Sequence, residues 1–178
     1  MWEWAAGVLA FILYFLYDWN RVFLKKVWMR PFFTAGSLLL VLCGGRLILY
    51  SWGAGARLWL VPAALCLAGL VYTLFFALPF DSTYCQEADS SLVCRSGIYG
   101  WCRHPGIWWF FGCFCSLGMA CRDWERLAFC LTLSALNLAY AWYQDRLIFV
   151  REFSDYEDYQ KEVPFLVPYI LRKGGKGK

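Results

Sequence analysis

Uncharged apolar runs of about bilayer length recur along this chain, and they leave few folds open to it. Residues 58–80 contain no Asp, Glu, Lys or Arg; neither do 105–121 and 127–144. Residues 31–52 are interrupted only by Arg46, placed where its side chain can snorkel. A fifth run, residues 4–17, lies between Glu3 and Asp18. About 20 helical residues cross a hydrocarbon core, because each adds roughly 1.5 Å. The expectation is an all-α integral membrane protein of about five transmembrane helices with a C-terminal cytoplasmic helical cap. The first run lacks a basic start and a small-residue cleavage site, so it reads as a retained span.

Five spans place the two ends on opposite sides. Arg21, Lys25, Lys26 and Arg30 then share a face with Arg95, Arg103 and the basic residues from Arg146 to Lys178. Only Arg46, Arg57, Arg122 and Arg126 are left for the other face. The positive-inside rule makes the first set cytoplasmic and puts the N-terminus outside. Tryptophans agree: Trp2, Trp4, Trp52, Trp59 and Trp124 fall at outer ends, and Trp19, Trp28, Trp101, Trp108 and Trp142 at inner ends. The formal charge of +4 needs no nucleic acid, since basic residues beside anionic lipid account for it.

Nine cysteines show no zinc-ligand spacing, and one histidine cannot furnish a Cys/His cluster, so no metal site is expected. Cys85, Cys94 and Cys102 fall on the cytoplasmic side, where disulfides are not expected. The chain reads as a single membrane domain. Residues 1–80 form a three-helix scaffold, 81–104 a cytoplasmic loop, 105–144 a helical hairpin, 145–171 a capping tail, and 172–178 a disordered basic tail. Ser154 followed by Glu157 reads as a capping box that starts a helix at about Asp155. Tyr156, Tyr159 and Val163 then fall on one face.

Polar chemistry is concentrated in residues 97–105 and 143–164, which flank one hairpin and should meet in space. An arginine and the sole histidine, Arg103 and His104, stand at a membrane boundary, where polar groups usually face a bundle interior or a wet cavity. Gly97-x-Tyr99-x-x-x-Arg103-His104-Pro105 resembles the signature of the isoprenylcysteine carboxyl methyltransferase and phospholipid methyltransferase superfamily. Phe153-x-x-Tyr156-x-x-Tyr159-x-x-x-Val163-Pro164 is similar to that superfamily's closing pattern. Together they cover roughly residues 80–170.

The resemblance implies a membrane-embedded enzyme that uses S-adenosylmethionine on a lipophilic substrate drawn from the bilayer, such as an isoprenylcysteine carboxylate or a lipid-like acceptor. It implies catalytic roles for Arg103, His104 and Asp145, and a cofactor pocket formed by Tyr99, His104, Pro105, Asp145, Arg146 and Tyr156. Three positions depart from the pattern. Ile107 and Trp109 stand where the family has a tyrosine and a close-approach glycine, and of its pair of glutamates Asp145 keeps one carboxylate while Arg146 replaces the other. Arg146 reverses one charge, so a more anionic ligand is an alternative. An NADPH-dependent membrane sterol or steroid reductase would use Arg103, Arg146 and Arg151 against phosphates. A divergent member that binds a lipid or cofactor without catalysis is a third reading. Blander roles stay open as well: Arg103 and His104 as interfacial anchors, Asp145 and Arg146 as a mutual pair, Tyr156 and Tyr159 as packing, and Asn137 bonded to a neighbouring helix.

Overall fold

A computed structural model describes residues 2–53, 57–77, 92–93 and 95–167. The acidic stretch from Asp81 to Asp89, Cys85, Cys94 and the basic residues from Arg172 onward lie outside the described residues. Those described are helical or irregular, with no strand among them.

Helix α1 (Trp2–Trp19) runs into a π-helical turn (Asn20–Leu24), which Lys25 closes with φ 55 and an N–H to Asn20 O at 2.7 Å. The buried Asn20 side chain holds the corner by bonding both the N–H and the carbonyl of Lys26. Helix α2 (Phe32–Gly53) returns, and α3 (Leu60–Phe75) follows. After a 3-10 turn (Gly97–Gly100), α4 (Gly106–Cys121) re-enters the bundle with Pro105 as its N-cap, where a missing N–H costs nothing. Arg122 turns the chain with φ 51. Asp123 then caps α5 (Trp124–Tyr143) by accepting the Glu125 N–H at 2.8 Å. A second π-helical turn (Gln144–Ile148), α6 (Phe149–Glu152) and α7 (Tyr156–Glu162) complete the described chain.

The helices alternate in direction, and contacts at the two ends fix this. At one end Arg46 approaches Glu3 at 3.4 Å, and the Tyr50 hydroxyl and Arg126 both donate to Asp123. At the other, buried Asp18 of α1 accepts from Tyr140 at 2.6 Å and Gln144 at 2.8 Å. Helix α4 is the centre of the bundle. It packs on α2, α3 and α5, and buries Ile107, Phe110, Cys113, Phe114, Leu117 and Cys121. Outward faces of α2 and α3 expose Val41, Leu42, Leu49, Leu65 and Phe75, as lipid contact requires.

Three helical stretches, Trp2–Leu24, Val27–Trp52 and Arg57–Phe75, are long and apolar enough to cross a bilayer. Helix α4 is apolar but shorter, and α5 carries Thr132, Ser134 and Asn137, so the expectation of five spans is met in full by three. Trp109 and the facing Gly69 explain the tightness between α3 and α4. A Cβ on Gly69 would meet the Trp109 ring at 2.6 Å. The close approach that the sequence lacks at residue 109 is provided by the opposite helix.

Candidate functional site

The two polar segments do meet, and a carboxylate joins them. Asp145 sits in the second π-helical turn, 1% exposed, and its oxygens accept from five side-chain nitrogens and oxygens. Arg103 docks on it in bidentate fashion, Nε to Oδ1 at 2.8 Å and Nη2 to Oδ2 at 3.0 Å. Tyr156 donates its hydroxyl to Oδ1 at 2.8 Å, and Gln160 Nε2 donates to Oδ2 at 3.0 Å. His104 Nε2 lies 3.3 Å from Oδ1. Burial alone would raise the Asp145 carboxyl, but bonds from His104, Arg103 and Tyr156 outweigh it and hold the group well below the usual carboxylate range. Burial, and then the bond to Asp145, push the Tyr156 hydroxyl well above its ordinary value, so it stays a donor.

Arg103 is equally committed. Nη1 donates to the carbonyls of Gln160 at 2.9 Å and Val163 at 2.6 Å. With two N–H groups on Asp145, four of the five guanidinium donors face this chain. The backbone continues the seam: Arg103 N–H reaches Pro164 O at 3.0 Å and His104 N–H reaches Phe165 O at 3.2 Å. Trp108 Nε1 donates to Leu166 O, and the Tyr159 hydroxyl to Tyr99 O at 2.6 Å. Tyr99 in turn donates to Thr73 O at 2.9 Å, tying the motif to α3. The residues after Val163 thus lie against the arginine-histidine motif as a roof.

Helix α7 starts within a residue of where the Ser154–Glu157 pattern places it. The helix begins at Tyr156 with Asp155 as N-cap and no side-chain capping bond. Asp155 instead accepts from Val93 N–H at 2.9 Å and Arg95 Nη2 at 2.8 Å, and Arg95 also reaches Glu162 at 2.7 Å. Burial would raise the Asp155 carboxyl, but the Val93 and Arg95 bonds lower it. The sequence reading missed Gln160 and Arg95. Gln160 was within reach, since it stands four residues after Tyr156 on the same face of α7.

Below the roof lies a cavity of about 390 Å³ that all five long helices line. Its upper wall carries Tyr99, Arg103, His104, Pro105, Gln144 and Phe149. Leu40, Phe110 and Asn137 lie deeper in the bundle. His104 is flanked by Phe165, with ring centres 4.9 Å apart, and by Phe149 at 6.0 Å. Asp145 and Tyr156 are behind this wall and do not line it. Arg146 is exposed and away from the cavity, and it does not pair with Asp145. Arg151 bonds Leu147 O and lies over the Phe23 ring, so neither arginine lines the cavity. Asn137, expected to bond a neighbouring helix, makes no hydrogen bond among the described residues and faces the cavity instead. The buried Thr73 hydroxyl, also at the cavity, is likewise unpartnered among them.

Fold and site together define a helical, membrane-type protein with a cavity at one end of its bundle, walled there by an arginine-histidine motif that the tail backs. Sequence comparison agrees in kind. The chain is 28% identical over 92 residues to Protein-S-isoprenylcysteine O-methyltransferase of Mus musculus, and to the same extent to that of Rattus norvegicus. Each match covers 48% of this chain and spans only 30% of the relative's length. No family model and no solved structure matches the chain. The similarity is therefore distant and partial, consistent with a relationship to a membrane methyltransferase.

Proposed function

We propose that the protein is a membrane-embedded methyltransferase that uses S-adenosylmethionine on a lipophilic acceptor, with its site facing the cytoplasm. One observation carries the reading: the arginine-histidine motif, locked to the tail through Asp145, walls one end of a cavity reaching into the apolar bundle. At about 390 Å³ it falls within the range of small-molecule sites, roughly 300–1,000 Å³. The lining suits the methyl donor. Tyr99, Phe110, Tyr140 and Phe149 offer aromatic rings to a sulfonium, and among the described residues no carboxylate lines the cavity to hold that cation back.

When bound, S-adenosylmethionine supplies a sulfonium methyl group that an acceptor's lone pair displaces from sulfur. Tyr99, His104, Pro105 and Gln144 would hold the donor at the roofed end. The deeper apolar wall would take the acceptor, and positioning two reactants in one cavity is itself a large part of the rate. Asp145 and Arg103 act as positioning residues. Because Asp145 is ionised, it accepts the His104 Nε2 N–H and so orients the ring beside the cavity.

Calorimetric titration of the detergent-purified protein with S-adenosylhomocysteine tests the proposal. Saturable binding that His104→Ala removes is the expected result. A folded protein that binds none refutes it.

A further inference from the structure

The charges of this site cancel before they reach the cavity. Arg103 and His104 are its only basic lining residues among those described, and both are turned onto the buried Asp145 carboxylate. An anionic group in the deep half would meet no free cation there, and burying an unpaired charge is strongly unfavourable. Neutral polar groups remain. Tyr14 is engaged with Ser37 at 3.0 Å, and Tyr140 with Asp18 at 2.6 Å. Gln144 Nε2 is engaged with Asp18 and Tyr140. Asn137 is the exception. It stands seven residues before Gln144 on α5, about 10 Å deeper by helical rise, and its amide has no partner among the described residues. Two N–H donors and a carbonyl that open onto a mainly apolar cavity are free to bond a ligand's oxygen. The unpartnered Thr73 hydroxyl at the same cavity adds a second unmet polar group.

From this we infer that Asn137 selects the acceptor, and that the acceptor is a neutral lipophile bearing a hydroxyl or carbonyl oxygen rather than a lipid carboxylate. The inference rests on the proposed reading only in taking the ligand to be the methyl acceptor. Leu40, Leu70, Leu74, Ile107 and Phe110 would surround its hydrocarbon body.

Equilibrium dialysis of the full chain in nanodiscs, with empty nanodiscs subtracted, tests it directly. The probes are radiolabelled 1-decanol, decanoate and n-decane at pH 8, where decanoate is ionised. Saturable decanol binding at least tenfold tighter than decanoate is expected. Asn137→Leu should weaken decanol about five- to tenfold, the worth of one buried hydrogen bond, and leave decane unchanged or tighter. No saturable decanol binding overturns the inference. So does decanoate binding as tightly as decanol, or decanol binding that Asn137→Leu leaves untouched, which would mean that water alone serves the amide. The probe comparison on the unaltered chain decides the matter even if the variant does not fold. Titration of the same sample with S-adenosylhomocysteine separates the two claims. Donor binding without decanol binding defeats only the acceptor assignment, and decanol binding without donor binding defeats only the methyltransferase.

Discussion

Replacing Asp145 by Asn keeps the side chain's shape and removes the charge that holds the roof down. Arg103 is 8% exposed and Asp145 1%, so solvent screens little of what is lost. Breaking one partner out of a buried ion pair costs about 3–5 kcal/mol, because the other charge stays buried and unpaired. The amide also brings donors to one side of a group that now accepts on both. Arg103 Nη2 and Gln160 Nε2 face Oδ2, while Arg103 Nε, Tyr156 and His104 face Oδ1. Whichever way the amide turns, its NH₂ meets a donor. At ~1.4 kcal/mol per factor of ten, the tail's opening constant should rise roughly a hundred- to a few-thousand-fold.

Hydrogen exchange read by mass spectrometry measures this locally. Peptides covering Arg103, His104 and residues 156–167 should speed up by that factor, since their amides bond across the seam or within α7. Peptides from the middle of α4 should not change. Arg103→Met combined with Asp145→Leu should recover part of the loss, because an apolar pair leaves no stranded charge. Recovery stays incomplete, since the Gln160 and Val163 carbonyls lose their donor. A change under tenfold in Asp145→Asn, with the fold intact, would sink the idea that this carboxylate fastens the tail.

Other outcomes follow from the same contacts. Asp145 and Asp155 both titrate below the ordinary 3.8 in the folded chain; their stabilisation is therefore full above about pH 4 and is lost only as pH falls through the lowered values. Tail exchange, corrected for the chemical rate, should be flat from pH 7 to 5, and an onset of opening above pH 5 would contradict the pairing. Gly69→Ala drives a methyl into the Trp109 ring and should destabilise the bundle by about 1–3 kcal/mol in a denaturant titration; no measurable loss would mean the two helices separate freely. Arg146→Glu should leave S-adenosylhomocysteine affinity within about twofold, since the residue is exposed and off the cavity; a tenfold change would put it back in the site. Tyr159→Phe removes the 2.6 Å bond to the Tyr99 carbonyl and should cost about 1 kcal/mol of tail docking, seen as faster exchange in α7.

What the sequence made legible was the apolar architecture, because lipid imposes its length and composition on each helix separately. The hairpin of α4 and α5 follows from a two-residue connection, Arg122 and Asp123, and the meeting of the two polar segments follows from the hairpin. What the sequence hid were pairings across distance. Asp145 and Arg103 are 42 residues apart, and nothing local told Asp145 to choose Arg103 over its neighbour Arg146. Helical geometry decides it: adjacent positions do not face the same way around the axis, so a turn that points Asp145 inward points Arg146 out. Arg146 had looked like a charge reversal inside a pocket, and it is a surface residue. Trp109 had looked like the loss of a close approach, and Gly69 of α3 supplies it.

The conspicuous residues of the motif therefore serve mainly as fasteners. Arg103, Asp145, Tyr156 and Gln160 consume one another's hydrogen bonds to fasten the tail, and among the described residues this leaves the cavity without a free charge. Selectivity in such a space must fall to whatever polar groups the fastening does not use. Those are Asn137 and Thr73, two residues in the middle and at the end of apolar helices, which no motif marks. A site of this construction separates closure from recognition. Altering the fasteners should loosen every ligand together, whereas altering Asn137 should change which ligand is preferred while the tail stays docked.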